Sequence, residues 1–72
     1  MTPKELQQIR AGIAHAVKAK REALGISQRT LAKQCGIGEQ TVIRMEQTTY
    51  WPNVKQLLLV SDALGLNFRF HR

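Results

Sequence analysis

The sequence predicts an all-α domain: a compact bundle of four or five short helices, with a short β-strand at the C-terminus. Three observations support this prediction. Apolar residues recur at helical spacing through most of the chain, glycines follow the periodic segments, and only the last residues alternate apolar with polar side chains. A chain of 72 residues is expected to form a single domain, residues 1–72, with a small core.

The first predicted helix spans residues 3–23 and begins with a capping box. Thr2 and Glu5 have the required spacing, and Pro3 occupies the first helical position. Gly12 costs about 1 kcal/mol relative to alanine, so we expect the first two turns to be loosely attached. The apolar stripe of this helix consists of Leu6, Ile9, Ile13, Val17 and Leu24.

Two short helices joined by a glycine turn follow, over residues 27–46. Ser27 is the predicted N-cap of a helix over 28–35, and Gly36 lies where the helix C-cap needs a left-handed residue. A second helix is predicted over 39–46. This arrangement is a helix-turn-helix, whose second helix typically lies in the major groove of DNA.

Asn53 is the predicted N-cap of the last helix, 54–64. A tail with strand periodicity follows, over residues 66–72. A lone strand leaves backbone N–H and C=O groups unpaired. Its simplest partner is the same tail from a second copy, which would form an antiparallel ribbon across a homodimer. A short fifth helix capped by Asn67 is the alternative. The predicted dimer-interface residues are Leu66, Phe68 and Phe70.

The net charge of +6 and a sequence pI near 10.3 indicate a polyanionic partner. The single cysteine, Cys35, forms no internal disulfide, which fits a reducing cytoplasm, and it is expected to be a small core residue. The chain has neither an apolar run of ~18 residues nor a signal-peptide pattern, so no membrane partner is expected.

Catalytic and metal-binding patterns are missing from the sequence. His15, His71 and Cys35 lack metal-ligand spacing. There is no nucleophile motif and no glycine-rich phosphate loop. We therefore expect no enzymatic activity, metal, cofactor or small-molecule ligand.

The stretch from Lys20 to Leu66 resembles the Cro/repressor-type (XRE) helix-turn-helix domain of phage and bacterial regulators. The matching residues are Lys20-Arg21, Leu24 to Gln28, Leu31-Ala32, Gly36-Ile37, Met45-Glu46, Pro52 and Ala63 to Leu66. The resemblance implies a lambda-repressor-like bundle that binds operator DNA as a dimer. The tail resembles that of HipB-like antitoxins, which makes a toxin protein the alternative partner.

Two positions depart from the family pattern. Thr48 stands where the family usually has glycine, and threonine tolerates a positive φ poorly, so we expect the loop after Gln47 to take another path. Gly38 replaces the usual Ser or Thr N-cap of the second helix, a small loss in capping energy.

The second helix of the motif carries the candidate base contacts. With Val42 at its buried centre, Gln40 and Arg44 point outward. Gln40 can pair bidentately with adenine and Arg44 with guanine, whereas the alternative is a solvated polar face. The predicted base contacts are Gly38, Glu39, Gln40, Ile43 and Arg44.

Phosphate contacts are expected at helix N-termini, where free N–H groups attract anions. The resemblance strengthens Gln28 in particular. The predicted set is Ser27, Gln28, Arg29, Gln47, Thr48, Thr49, Asn53 and Lys55. Lys4, Arg10 and Lys18 are expected to supply solubility alone. Tyr50 and Trp51 are expected to pack on the core or on a dimer mate rather than stack on bases.

The family pattern pairs Arg21 with Glu46 in a partly buried, structural salt bridge. Together these features predict a cytoplasmic, nucleoid-associated regulator that binds double-stranded DNA, as a dimeric repressor of a palindromic operator. The alternative is the antitoxin of a toxin–antitoxin pair that also regulates its own operon.

Overall fold

The computed structural model describes residues 1–66, and these form four helices around one core. The helices are α1 (Pro3–Ala23), α2 (Gln28–Cys35), α3 (Glu39–Met45) and α4 (Val54–Leu64). This confirms an all-helical architecture for residues 1–66, which contain no strand.

The predicted tail strand and its fifth-helix alternative lie outside the described residues, as do Phe68 and Phe70. Leu66 is described: it is half-buried against the core of its own chain, and its N–H donates to the Ser61 carbonyl at 2.8 Å. Part of the Leu66 side chain is therefore already covered without a second copy.

Side-chain caps fix the starts of three helices, as the sequence predicts. The Thr2 hydroxyl accepts from the Glu5 backbone N–H at 3.1 Å, and the Glu5 carboxylate accepts from the Thr2 N–H at 2.9 Å. That backbone hydrogen bond lowers the pKa of Glu5. Ser27 caps α2 and Asn53 caps α4 in the same way, by accepting from the N–H three residues later.

All four helices contribute to the core, which is apolar throughout the described residues. Its members are Val17, Leu31, Ala32, Cys35, Val42, Met45, Val60 and Leu64. Cys35 is buried as predicted, and burial raises the pKa of its thiol. The thiol is thus kept protonated and acts as a small apolar residue.

Most of the predicted apolar stripe of α1 is not buried, so this prediction is largely wrong. Val17 is fully buried, but Leu6, Ile9 and Leu24 are 42%, 45% and 50% exposed. The buried face instead centres on Ala14 and Val17. A helix of 21 residues is about 31 Å long, so its first turns extend past a core built by three shorter helices.

Two glycines allow a matched test of the turn between α2 and α3. Gly36 has φ +69°, whereas Gly12 lies inside α1, and a Cβ at either position would meet no atom of residues 1–66 within 4 Å. We expect Gly36→Ala to destabilise the fold by about 1–2 kcal/mol through backbone strain alone. Gly12→Ala should stabilise it by about 0.5–1 kcal/mol. Urea unfolding of both variants measures the difference, and equal shifts of the same sign would contradict the strain argument.

Candidate nucleic-acid interface

Helix α3 is oriented by the two side chains that it buries. Val42 and Met45 are 0% and 1% exposed, because they pack against α2 and the rest of the core. Gln40 and Arg44 lie on the opposite side and are exposed, as the helical geometry predicts. Neither side chain forms a hydrogen bond or ion pair with any residue from 1 to 66. Both remain available to base edges.

The other predicted base-contact residues surround this pair. Glu39 is exposed in the first turn of α3, and Ile43 is half-buried on its flank. Gly38 is the N-cap, with an extended backbone and no side-chain cap. Among residues 1–66, a Cβ at Gly38 would touch only the Thr41 hydroxyl, at 3.9 Å, so the glycine is not needed to avoid a clash with this part of the chain.

A partly buried ion pair anchors the C-terminal end of α3 to α1. Arg21 donates from Nε to Glu46 Oε2 at 2.7 Å and from Nη2 to Oε1 at 3.0 Å. A third donor, Nη1, reaches the Ile26 carbonyl at 2.9 Å. The two side chains are only 12% and 4% exposed, and the hydrogen bonds to Glu46 raise the pKa of Arg21. The Arg21–Glu46 pair suggested by the sequence is therefore present in the structure.

Gln28 joins this ion pair, which the sequence did not predict. Its Nε2 donates to Glu46 Oε1 at 3.1 Å. Glu46 therefore links α1, the start of α2 and the end of α3. One N–H of the Gln28 amide remains for a phosphate. Gln28 and Glu46 are 18 residues apart and belong to different elements, so no periodicity connects them.

The remaining candidate phosphate contacts are spread around this anchored centre. Ser27 uses its hydroxyl within α2, donating to Thr30 Oγ1 at 3.0 Å. Asn53 Oδ1 accepts from the Gln56 N–H, which leaves the Nδ2 group of Asn53 as a donor. The others are exposed: Arg29, Gln47, Thr48, Thr49 and Lys55.

The loop after α3 follows a path without a left-handed residue. Among residues 1–66 only glycines have positive φ, so Thr48 avoids the conformation that a glycine would adopt there. Thr48 thus does not adopt a positive φ, as its side chain predicts, whereas a loop path different from that of the family stays a prediction.

The two aromatic residues before Pro52 behave differently. Tyr50 packs against the core, as predicted, and its hydroxyl donates to Gln56 Oε1 at 3.0 Å. Trp51 does not pack into the core: it is 45% exposed, and its ring centroid lies 5.7 Å from the guanidinium carbon of Arg10. From the sequence, Arg10 is expected to supply solubility alone, and no motif indicates its contact with Trp51.

Helices α2 and α3 pack against each other and are joined by a glycine turn, and Glu46 anchors the end of α3. This arrangement defines a helix-turn-helix DNA-binding domain. The chain belongs to the helix-turn-helix family HTH_3, and the match spans residues 17–70. Membership of this family supports double-stranded DNA binding and XRE-type regulation. No curated protein and no solved structure matches the chain.

Two other features are absent from residues 1–66. None of the helices there combines the length and apolar character needed to cross a bilayer. The same residues bring together no group of three His, Cys, Asp or Glu side chains that could hold a metal ion.

Proposed function

We propose that this chain is a sequence-specific regulator of transcription, which acts in the cytoplasm as a dimeric repressor of a palindromic operator. The observation that carries the proposal is that Gln40 and Arg44 are exposed on an anchored α3 and form no hydrogen bond or ion pair with residues 1–66. Glutamine pairs bidentately with adenine and arginine with guanine, each contributing about 1–3 kcal/mol of discrimination. A repressor needs no further domain, because occupying an operator excludes other proteins from it.

The free energy that specific DNA binding requires favours two copies of the chain on one operator. Two bidentate contacts give one chain about 2–6 kcal/mol, whereas specific DNA binding typically exceeds non-specific binding by about 4–10 kcal/mol. A helix of seven residues presents few other side chains to bases. Two chains related by a two-fold axis would double the discrimination and place their recognition helices about 34 Å apart, in successive major grooves.

Selection of bound sequences from a random duplex pool tests this proposal. We expect enrichment of a palindromic site whose half-sites are about one helical turn apart, and a bound mass of two chains. Enrichment of a single half-site would contradict the dimer. No enrichment, together with equal affinity for all duplexes, would contradict sequence-specific regulation.

Exposed apolar side chains favour an alternative, in which the chain is the antitoxin of a toxin–antitoxin pair. Leu24, Val54 and Leu58 are 50%, 60% and 53% exposed and lie outside the proposed DNA-contacting residues. Val54 and Leu58 are four residues apart on α4 and therefore lie on one face, which is suited to a protein partner. Co-expression with the product of the adjacent gene separates the two functions: a stable complex that neutralises a toxic protein supports the antitoxin, and two independent proteins support the repressor.

A further inference from the structure

The first half of α1 contacts the loop that follows the recognition helix. Residues 3–16 precede the match to the family, which starts at residue 17. From this segment Arg10 faces Trp51, with 5.7 Å between the guanidinium carbon and the ring centroid, within the range of a cation–π contact. Trp51 therefore holds the Arg10 guanidinium beside the α3–α4 loop.

The donors of this guanidinium are not used within the described chain. Arg10 Nε is buried and has no acceptor among residues 1–66, and the same residues accept no hydrogen bond from the rest of the guanidinium. A buried N–H without an acceptor costs free energy. Arginine presents its N–H groups as a planar fork that matches two oxygens of one anion. Nε itself is too buried to be reached by an external ion, whereas the terminal nitrogens Nη1 and Nη2 are not buried and are free of hydrogen bonds to residues 1–66. These two nitrogens are therefore the pair that fits an oxyanion from outside residues 1–66.

The charges around Trp51 favour an anion, and the position of Trp51 in the loop that follows α3 favours the DNA backbone as its source. The chain contains no acidic residue from Gln47 to Ser61, whereas Lys55 and the positive end of the α4 dipole lie in this stretch. Glu5, the acidic residue on this half of α1, is rotated about 140° away from Arg10 around the helix, and its carboxylate caps Thr2. An acidic partner protein offers isolated carboxylates, but a DNA backbone offers a continuous row of phosphates beside α3.

We propose that Arg10, held by Trp51, binds a phosphodiester of the DNA backbone adjacent to the bases contacted by α3. This proposal rests on the proposed DNA-binding function. The proposed contact comes from the segment that precedes the family match. It extends the stretch of DNA backbone contacted by the protein beyond that reached by the helix-turn-helix. The contact is with phosphate, so it adds affinity for all sequences alike.

Salt titration of duplex binding tests the contact. Full-length wild-type, Arg10→Gln, Arg10→Lys and Lys4→Gln chains are titrated with the selected operator and with a scrambled duplex, at about 50 and 200 mM salt. Each lost phosphate contact should reduce the change in Kd over this fourfold salt range by about 3.5-fold, so a dimer that loses one contact in each chain should show a reduction of about 12-fold. We expect this reduction for Arg10→Gln on both duplexes, and nearly full retention of the salt dependence for Arg10→Lys. Lys4→Gln is the matched control: the same charge is removed from an exposed position on the same helix, and the salt dependence should stay close to that of the wild type.

Trp51 is the only tryptophan in the chain, so its emission provides a second measurement. We expect its spectrum to shift on duplex binding in the wild type and less in Arg10→Gln. The inference fails if the wild type binds the duplex and Arg10→Gln keeps the wild-type salt dependence. Arg10 would then only join α1 to the α3–α4 loop, and the proposed function would stand. The same conclusion follows if Arg10→Gln lowers thermal stability and affinity without changing the salt dependence. If the wild type binds no duplex, both the proposed function and this contact are wrong.

Discussion

Replacing Glu46 by alanine is expected to lower the free energy of unfolding by about 3–5 kcal/mol. The substitution leaves the Arg21 guanidinium, only 12% exposed, without its counter-charge, and it removes the acceptor of the Gln28 amide. A domain of this length has a total stability of about 4–11 kcal/mol. The variant should therefore lose about a quarter or more of the total stability, which urea unfolding followed by circular dichroism would measure.

Glu39→Ala is the matched control for this experiment. Glu39 is an exposed glutamate on α3, so its removal changes the charge equally but breaks no described contact. We expect a change within about 0.5 kcal/mol. Replacing both partners, as Arg21→Met with Glu46→Leu, should recover much of the loss because no unpaired charge remains buried. Equal effects of Glu46→Ala and Glu39→Ala would show that the ion pair contributes nothing to the fold.

Local signals in the sequence predicted the helices of this domain well. Thr2 with Glu5, Ser27 and Asn53 mark helix starts because their side chains satisfy free N–H groups in any context. Gly36 marks the turn because its φ of +69° suits glycine alone. Such features depend on neighbouring residues in the chain, and for that reason they can be predicted without knowing the tertiary structure.

Packing between distant elements could not be predicted in the same way. Helical spacing placed Leu6 and Ile9 on one stripe with Val17, but spacing does not say where the neighbouring helices end. The contacts of Gln28 with Glu46 and of Arg10 with Trp51 join residues 18 and 41 positions apart, respectively, with no repeating pattern. The Arg21–Glu46 pair could be predicted only from the resemblance to a family.

Replacing Arg44 by alanine is expected to remove discrimination at one position in each half of the operator. Arg44 is exposed on α3, and no residue from 1 to 66 pairs with its guanidinium, so its loss should leave the fold intact. A bidentate contact to guanine contributes about 1–3 kcal/mol, equivalent to about a 5- to 150-fold preference for the correct base. The measurement compares Kd for the selected operator with Kd for duplexes carrying each other base at that position.

Arg29→Ala separates base contact from general attraction to DNA. Arg29 is exposed on α2 and is proposed to contact phosphate, so its removal costs the same charge but should weaken binding to every duplex by a similar factor. Arg44→Ala should instead bind the substituted duplexes almost as the wild type does and lose affinity mainly for the operator. If both variants lose affinity for operator and scrambled duplex equally, Arg44 contacts phosphate as well. The specificity would then have to come from Gln40 or from the shape of the DNA.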